Sequence, residues 1–169
     1  MPVRIANNNE PISMTTLMTP DMANFSGKVH GGALLKLLDQ VAYACASRYS
    51  GAYVVTLSVD QVFFLQPIYV GELVTFKSRV NYVGNSSMEV GIRVEAEDIH
   101  TREIRHTNSC YFTMVAVNKH GKSVKVEQLD LTDPKAKSRY ELGKMRKELR
   151  KEYNDRQKEL KDNHKAKFE

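Results

Sequence analysis

The stretch "NFSGKVHGGALLKLLDQVAYACA", residues 24–46, contains the element that decides the fold. From Gly31 to about Tyr49 small and apolar residues dominate and no proline interrupts, which predicts a long helix, buried on most sides, that Gly51 ends. Asp39 interrupts this apolar run. Because an ionised carboxylate is costly in apolar surroundings unless it is paired, solvated or used, Asp39 is either a border carboxylate that reaches solvent or a functional group such as a general base.

The segments after the helix change the hydrophobic period from helical to two, which is the period of half-buried strands. In the expected strand 74–83 the alternation places Val80 and Tyr82 on the buried face, and in 88–97 it places Glu89 on the outer face. The other expected strands are 12–18, one within the segment 53–66 that ends before Pro67, and 104–118. An antiparallel sheet with one apolar face covers a long helix, so the pattern predicts an α+β domain in which the sheet wraps around the helix.

The carboxyl-terminal residues 129–169 hold most of the net charge of +5, since thirteen Lys/Arg and nine Asp/Glu give +4 there and leave +1 for the rest. Acidic and basic side chains are interleaved, as on a solvated helix face, so nucleic acid is not expected as a partner. Asp133 before Pro134 marks the start of a helix. We therefore divide the chain into an extension at 1–10, a domain at 11–128 and a charged helical tail at 129–169.

Composition excludes several classes of protein. No window approaches the roughly eighteen apolar residues of a membrane span, and the amino terminus lacks the apolar core of a signal peptide, so a cytoplasmic location is expected. The two cysteines, Cys45 and Cys110, are interpreted as buried apolar residues rather than as a disulfide or metal ligands. No metal-ligand spacing, phosphate loop or serine-histidine-acid set occurs, so neither a metal ion nor another cofactor is expected.

The triplet "HGG", residues 30–32, opens the predicted helix and is a candidate site for a negative charge. Backbone N–H groups in the first turn of a helix are unpaired donors, and those of Gly31 and Gly32 would stabilise a developing oxyanion. The alternative is that the two glycines serve a tight turn or close packing. His30 is either a capping residue or a catalyst. Asn24, in the preceding loop, either makes a turn or holds a water or a carbonyl with its amide.

Three motifs occur in one order along the chain: "PDMANFSGKVHGGALLKLLDQVAYACASRY", "SVDQVFFLQPIYVGELV" and "VGNSSMEVGIRVEAED". Together they resemble the acyl-CoA hydrolase family of hotdog-fold thioesterases over roughly residues 10–120. The resemblance implies the hotdog fold, in which an antiparallel sheet wraps a long central helix. It also implies hydrolysis of an acyl-CoA to a fatty acid and free coenzyme A (CoA).

By position in these motifs, Asn24 matches the family's active-site asparagine and Asp39 the aspartate on the central helix. In relatives with two hotdog domains in one chain, one domain can keep only the asparagine and the other only the aspartate. This chain has both, so the resemblance implies a homodimer in which Asn24 of one subunit meets Asp39 of the other, assembled further to a hexamer, a trimer of dimers. It also implies that a Gly31 or Gly32 N–H holds the thioester carbonyl, while Asp39 activates water or attacks directly.

The turn "GNSS" is the candidate binding site for CoA, formed by Gly84, Asn85, Ser86 and Ser87. A flexible backbone with hydroxyl donors suits phosphates or the pantetheine amides, although an ordinary hairpin turn has the same composition. Asp60 is a rival carboxylate to Asp39, but its expected position on a strand favours an ion pair or a surface role.

Two other functions stay open at the level of sequence. One is a binding module without catalysis that senses acyl-CoA. The other is a hotdog dehydratase or hydratase, in which His30 would have to transfer the proton. Release of free thiol from a panel of acyl-CoAs distinguishes these functions from thioester hydrolysis.

Overall fold

A computed structural model describes residues 9–168 of the chain, with side chains as far as His164. The predicted extension at 1–10 therefore lies almost entirely outside the described residues. The chain divides into two compact units, with the division between Leu129 and Asp130.

The first unit is built from strands and one long helix. Its elements are β1 (Ile12–Leu17), α1 (Gly31–Ser50), β2 (Tyr53–Val59), β3 (Leu73–Val83), β4 (Ser87–Glu97) and β5 (Ile104–Val117), with a short 3-10 helix at Pro20–Met22. The strands form one antiparallel sheet in the order β1-β3-β4-β5-β2, so β1 and β2 are its edges. Helix α1 packs on the inner face of this sheet, which confirms the predicted hotdog architecture.

Helix α1 buries one face rather than most of its surface. The buried residues recur at intervals of one to four and are Leu34, Leu38, Val41, Ala42, Cys45, Ala46 and Tyr49. The opposite face exposes Leu35, Asp39 and Tyr43, so the prediction of a helix buried on most sides is wrong for a single chain. One sheet covers only one side of a helix. Gly51 ends α1 as predicted, with a φ of 64° that a left-handed cap requires.

Strand β3 departs from the predicted alternation after Val80. A bulge between Val80 and Tyr82 shifts the register, so Val83 takes the buried position that was predicted for Tyr82. Asn81, expected on the outer face, is buried for the same reason. Glu89 of β4 pairs with Tyr82 beside this bulge and is 1% exposed, so the expectation that it reaches solvent is wrong.

The strand expected in the segment 53–66, before Pro67, is shorter than that segment. β2 ends at Val59, and the following residues, up to Pro67, form a loop rather than a strand. Asp60 thus lies just beyond the strand, in contrast to the position expected from the sequence. Residues of this loop line two cavities.

The second unit is dominated by α2 (Pro134–Phe168), which confirms the predicted charged helix. The carboxylate of Asp133 accepts hydrogen bonds from the backbone N–H groups of Lys135 and Ala136, and so caps the first turn. The apolar stripe of α2 is exposed, at Leu142, Met145, Leu149, Tyr153 and Leu160. None of the helices in the described part of the chain is long and apolar enough to cross a membrane.

Candidate active site

The amino terminus of α1 offers one backbone donor to a ligand. His30 is the N-cap residue, and its Nδ1 accepts a hydrogen bond from the Gly32 N–H at 2.9 Å, so that donor is used within the chain. The Gly31 N–H has no partner among the described residues. Of the two glycines predicted from the sequence, Gly31 is therefore the one whose N–H is left to meet an oxyanion.

Asn24 shapes the loop before α1 with its amide oxygen. That Oδ1 accepts hydrogen bonds from the Ser26 N–H at 2.9 Å, the Ser26 hydroxyl at 2.8 Å and the Lys28 N–H at 3.2 Å. Both alternatives weighed for Asn24 are therefore compatible, because the oxygen makes the turn while the Nδ2 hydrogens are left as donors.

A cavity of about 220 Å³ lies beside the amino terminus of α1. Asn24, Gly31, Leu34 and Phe64 line it, together with Pro67, Ile68 and Asn108. The cavity thus brings the Asn24 amide and the Gly31 backbone to one apolar space. Water is partly excluded from such a space, which strengthens hydrogen bonds to a developing charge.

A buried ion pair fixes one wall of this cavity. Arg105 donates to both carboxylate oxygens of Glu72 at 2.7 Å, and one of its amino groups also donates to the Pro67 carbonyl at 2.9 Å. The hydrogen bonds to Glu72 hold the pKa of Arg105 above its ordinary value. Because Glu72 is only 6% exposed, either partner alone would leave an uncompensated charge. The pair therefore keeps the loop around Pro67 in place.

Asp39 lies in a second, larger cavity of about 590 Å³. Its Oδ1 accepts a hydrogen bond from the Thr56 hydroxyl of β2 at 2.6 Å, and Oδ2 has no partner among the described residues. Asp60 and Phe112 line the same cavity. A carboxylate with one oxygen held and the other available can accept a proton from water.

Within one chain the two halves of the predicted site do not meet. Gly31 and Asp39 are eight residues apart on α1, a rise of about 12 Å along the helix axis. Asn24 and Gly31 line the smaller cavity and Asp39 the larger, with Phe64 in the wall of both. A base and an oxyanion donor must both reach the same carbonyl group, so one chain does not present a complete site.

The candidate CoA turn lies far from the smaller cavity in the same chain. Val94 pairs with Asn108, which lines that cavity, and Ser87 is seven residues away along β4, about 23 Å for an extended strand. The carbonyl groups of Gly84, Asn85 and Ser86 accept hydrogen bonds from other segments of the unit. Binding of CoA there stays a prediction.

The two cysteines are buried and are not nucleophiles. Burial raises the pKa of the Cys45 thiol above its ordinary value and that of Cys110 to about 12. Both are therefore thiols at neutral pH, whereas the thiolate is the reactive form. Among the ionisable groups near the cavities, the carboxylates are the candidates for the chemistry.

Three features of the site were not predicted from the sequence: the Thr56 contact to Asp39, the Glu72–Arg105 pair and the place of Asn108. Thr56 and Arg105 have no local signal, because their partners are 17 and 33 residues away in the chain. The burial of Asn108 could have been predicted, because it lies two and four residues before Cys110 and Phe112 and so shares their buried face of β5.

Comparison with known proteins gives the family. The thioesterase superfamily model matches residues 26–103. Protein VdlD of Helicobacter pylori is 54% identical over 137 residues, which are 81% of this chain and 78% of VdlD. A hexameric acyl-CoA thioesterase, solved in its apo form, is 34% identical with a TM-score of 0.81, and the match covers 85% of this chain and 92% of that one.

This chain belongs to the acyl-CoA thioesterase family of hotdog proteins. Another solved member of this thioesterase family is the acyl-CoA hydrolase of Staphylococcus aureus, in complex with butyryl-CoA, CoA and CoA disulfide. It is 30% identical with a TM-score of 0.80, and the match covers 89% of this chain and 92% of that one. Structures of that enzyme also exist for alanine variants of an asparagine, an aspartate and a threonine.

Proposed function

We propose that the protein is an acyl-CoA thioesterase that uses Asn24, Asp39 and Thr56 to hydrolyse acyl-CoA to a fatty acid and CoA. The observation that carries the proposal is the Thr56 hydrogen bond to Asp39. Asn24 and Asp39 are 15 positions apart, and Asp39 and Thr56 are 17 positions apart. The asparagine, aspartate and threonine replaced in the S. aureus enzyme have the same spacings, which supports a common site.

The site is shared between two subunits. Asn24 and Gly31 come from one subunit and Asp39 with Thr56 from the other. The separation of about 12 Å between Gly31 and Asp39 along α1 supports this arrangement, because one chain alone does not bring them to one carbonyl.

The edge strand β2 is the proposed contact between the subunits. It exposes apolar side chains, with Tyr53 at 61% and Leu57 at 68%, and one of its edges has no neighbouring strand among the described residues. Tyr43 on the exposed face of α1 contacts Tyr53, so helix and strand form one apolar surface. Antiparallel pairing of two β2 strands would satisfy the free edge and bury this surface. Assembly of such dimers to a hexamer is proposed from the hexameric relative.

The mechanism follows from the placement of these groups. The thioester carbonyl accepts a hydrogen bond from the Gly31 N–H at the positive end of α1, and the Asn24 amide positions the water or the thioester. Asp39 of the other subunit takes a proton from water, whose oxygen attacks the carbonyl carbon, or attacks that carbon itself. The carbon–sulfur bond then breaks and CoA leaves as a thiolate, a good leaving group that needs no strong acid. Attack by water gives the fatty acid directly, whereas attack by Asp39 leaves an acyl-aspartyl anhydride that water hydrolyses to the fatty acid, restoring the carboxylate.

The proposal has three further parts, which concern cofactors, the contact with CoA and the location of the protein. CoA is part of the substrate and the product, and no further cofactor is proposed. The turn of Gly84, Asn85, Ser86 and Ser87 is proposed to contact CoA bound mainly by the neighbouring subunit. A cytoplasmic location is proposed.

A dehydratase is less well supported by the geometry. His30 would have to transfer a proton, but its Nδ1 accepts the hydrogen bond from Gly32 and so its Nε2 carries the hydrogen. In this tautomer neither ring nitrogen is a free base. The cap also fixes the ring at the start of α1.

The proposed activity is tested by release of free thiol from a panel of acyl-CoAs, from acetyl to palmitoyl, with the full chain. We expect thiol release from at least one chain length and a fatty acid as the second product. A folded protein that binds acyl-CoA but releases no thiol from any of them would favour the binding module. Loss of water from a hydroxyacyl-CoA without thiol release would favour a dehydratase.

Replacing Gly31 by proline tests the oxyanion donor. Proline at the first position of a helix removes the N–H but fits the backbone, because His30 has a ψ of 132° that suits a residue before proline. We expect kcat to fall about a hundredfold with little change in CoA affinity. In the control Gly31→Ala, the added Cβ meets Phe64 at an ordinary 3.5 Å and the N–H is kept, so activity should stay close to that of the unmodified enzyme. Equal activity of both variants would contradict the role of this donor.

A further inference from the structure

Asn108 is a polar residue in an apolar position. It lies on the inner face of β5, where the residues of the same parity are Cys110, Phe112, Met114 and Ala116, all buried. Asn108 itself is 1% exposed. A side-chain amide at such a place costs free energy unless all of its hydrogen-bonding groups find partners.

Only half of this amide is satisfied. Its Oδ1 accepts a hydrogen bond from the Thr107 hydroxyl at 3.1 Å, and its Nδ2 is buried with no hydrogen-bond partner in the described part of the chain. Asn108 therefore keeps two N–H donors without an acceptor.

The cavity beside α1 supplies a place for that acceptor. Asn108, Leu34 and Ile68 are its buried lining residues, at 1%, 2% and 5% exposure, and they form the floor. Lys28 and Phe64 are exposed and form the mouth, near Gly31. An acyl group whose thioester carbonyl is held at Gly31 would extend towards the floor. The cavity of about 220 Å³ is smaller than the roughly 300–1,000 Å³ of sites that enclose a whole drug-sized ligand, so it suits a short group.

We propose that Asn108 determines specificity by donating a hydrogen bond to an oxygen carried by the acyl chain. The preferred substrates are then short acyl-CoAs with a hydroxyl or oxo group beyond the thioester carbon. An unsubstituted acyl chain would bury the Asn108 N–H groups against methylene groups and leave them unpaired. An unsubstituted acyl-CoA should therefore react more slowly than one that carries the oxygen. This inference rests on the proposed thioesterase function and adds the class of acyl group.

The first test compares butyryl-CoA with its 3-hydroxy and 4-hydroxy derivatives, which differ from it by one oxygen. We expect kcat/KM to be at least about tenfold higher for one of the hydroxy derivatives. A wholly apolar floor would give the opposite order, because the hydroxyl would lose its water without a partner. If neither derivative exceeds butyryl-CoA, the specificity inference is wrong while the thioesterase function stands. If none of the three releases thiol while another acyl-CoA of the acetyl-to-palmitoyl panel does, the specificity inference is wrong; if no acyl-CoA of that panel releases thiol, the thioesterase function is wrong as well.

The second test replaces Asn108 by leucine, which has a similar shape but no donor. We expect the ratio of kcat/KM for the hydroxy derivative to kcat/KM for butyryl-CoA to fall to about one. The value for the hydroxy derivative should drop about tenfold, while the value for butyryl-CoA is kept or rises. Asn81→Leu is the matched control, since Asn81 is also a buried asparagine of the sheet but does not line the cavity. Asn81→Leu should lose about as much stability as Asn108→Leu but keep the preference for the hydroxy derivative. An unchanged preference in Asn108→Leu, or an equal loss in Asn81→Leu, would overturn the proposal.

Discussion

Replacing Asp39 by alanine is expected to lower kcat for thioester hydrolysis about a thousandfold, the middle of the range for loss of a general base. The side chain is exposed in the single chain and its one hydrogen bond is to Thr56, so the variant should fold and assemble normally. CoA affinity should change little, because the proposed contacts to CoA lie elsewhere. The measurement is steady-state thiol release with the best acyl-CoA, together with CoA binding by calorimetry.

Asp60 supplies the matched control for this variant. It is a carboxylate in the same cavity and only a few residues from Thr56 in the chain. Asp60→Ala removes the same kind of charge from the same space but is expected to keep most of the activity. A folded Asp39→Ala variant with turnover near that of the unmodified enzyme, or an equally inactive Asp60→Ala variant, would end the assignment of Asp39 as the catalytic carboxylate.

The helix and the sheet could be predicted because their signals are local. Helix α1 runs from Gly31 to Ser50 as the uninterrupted apolar run indicated, and Gly51 ends it with a positive φ. The change of period to two identified β3, β4 and β5. These patterns depend on residues that are near each other in the chain, which is the information that a single sequence carries best.

The errors in the sheet have a common physical origin. The bulge at Asn81 inserts one residue into β3, and such an insertion has no signal in the alternation before it. It buries Asn81 and, next to it in the sheet, Glu89. A prediction of burial from polar and apolar alternation assumes a regularly pleated strand, so it fails where a bulge breaks the pleat.

The candidate site was predicted only in part. Asp39 stood out because a charge in an apolar run is unusual, whereas the loop position of Asn24 left its role open until the resemblance to a family implied an active-site role. The partner of Asp39 could not be found from the sequence, because Thr56 looks like an ordinary strand threonine until β2 is placed beside α1. The distance between Gly31 and Asp39 follows from the helix alone. It could have shown from the sequence that one chain does not complete the site.

The central claim is that each active site takes Asn24 from one subunit and Asp39 from the other, and mixing two inactive variants tests it. Asn24→Ala and Asp39→Ala are each expected to lose at least about a hundredfold in activity when expressed alone. In a mixed dimer, Asn24 of the Asp39→Ala subunit meets Asp39 of the Asn24→Ala subunit, which restores one intact site and leaves one doubly defective site.

Co-expression of the two variants in equal amounts, followed by thiol-release assays on the purified oligomer, is therefore the most direct measurement. Half of the dimers are mixed and carry one intact site of two, so activity should recover to about a quarter of that of the unmodified enzyme. Co-expression of two differently tagged Asp39→Ala chains is the control and should stay inactive. Recovery to about a quarter would support the shared site, whereas mixed oligomers as inactive as either variant alone would contradict it.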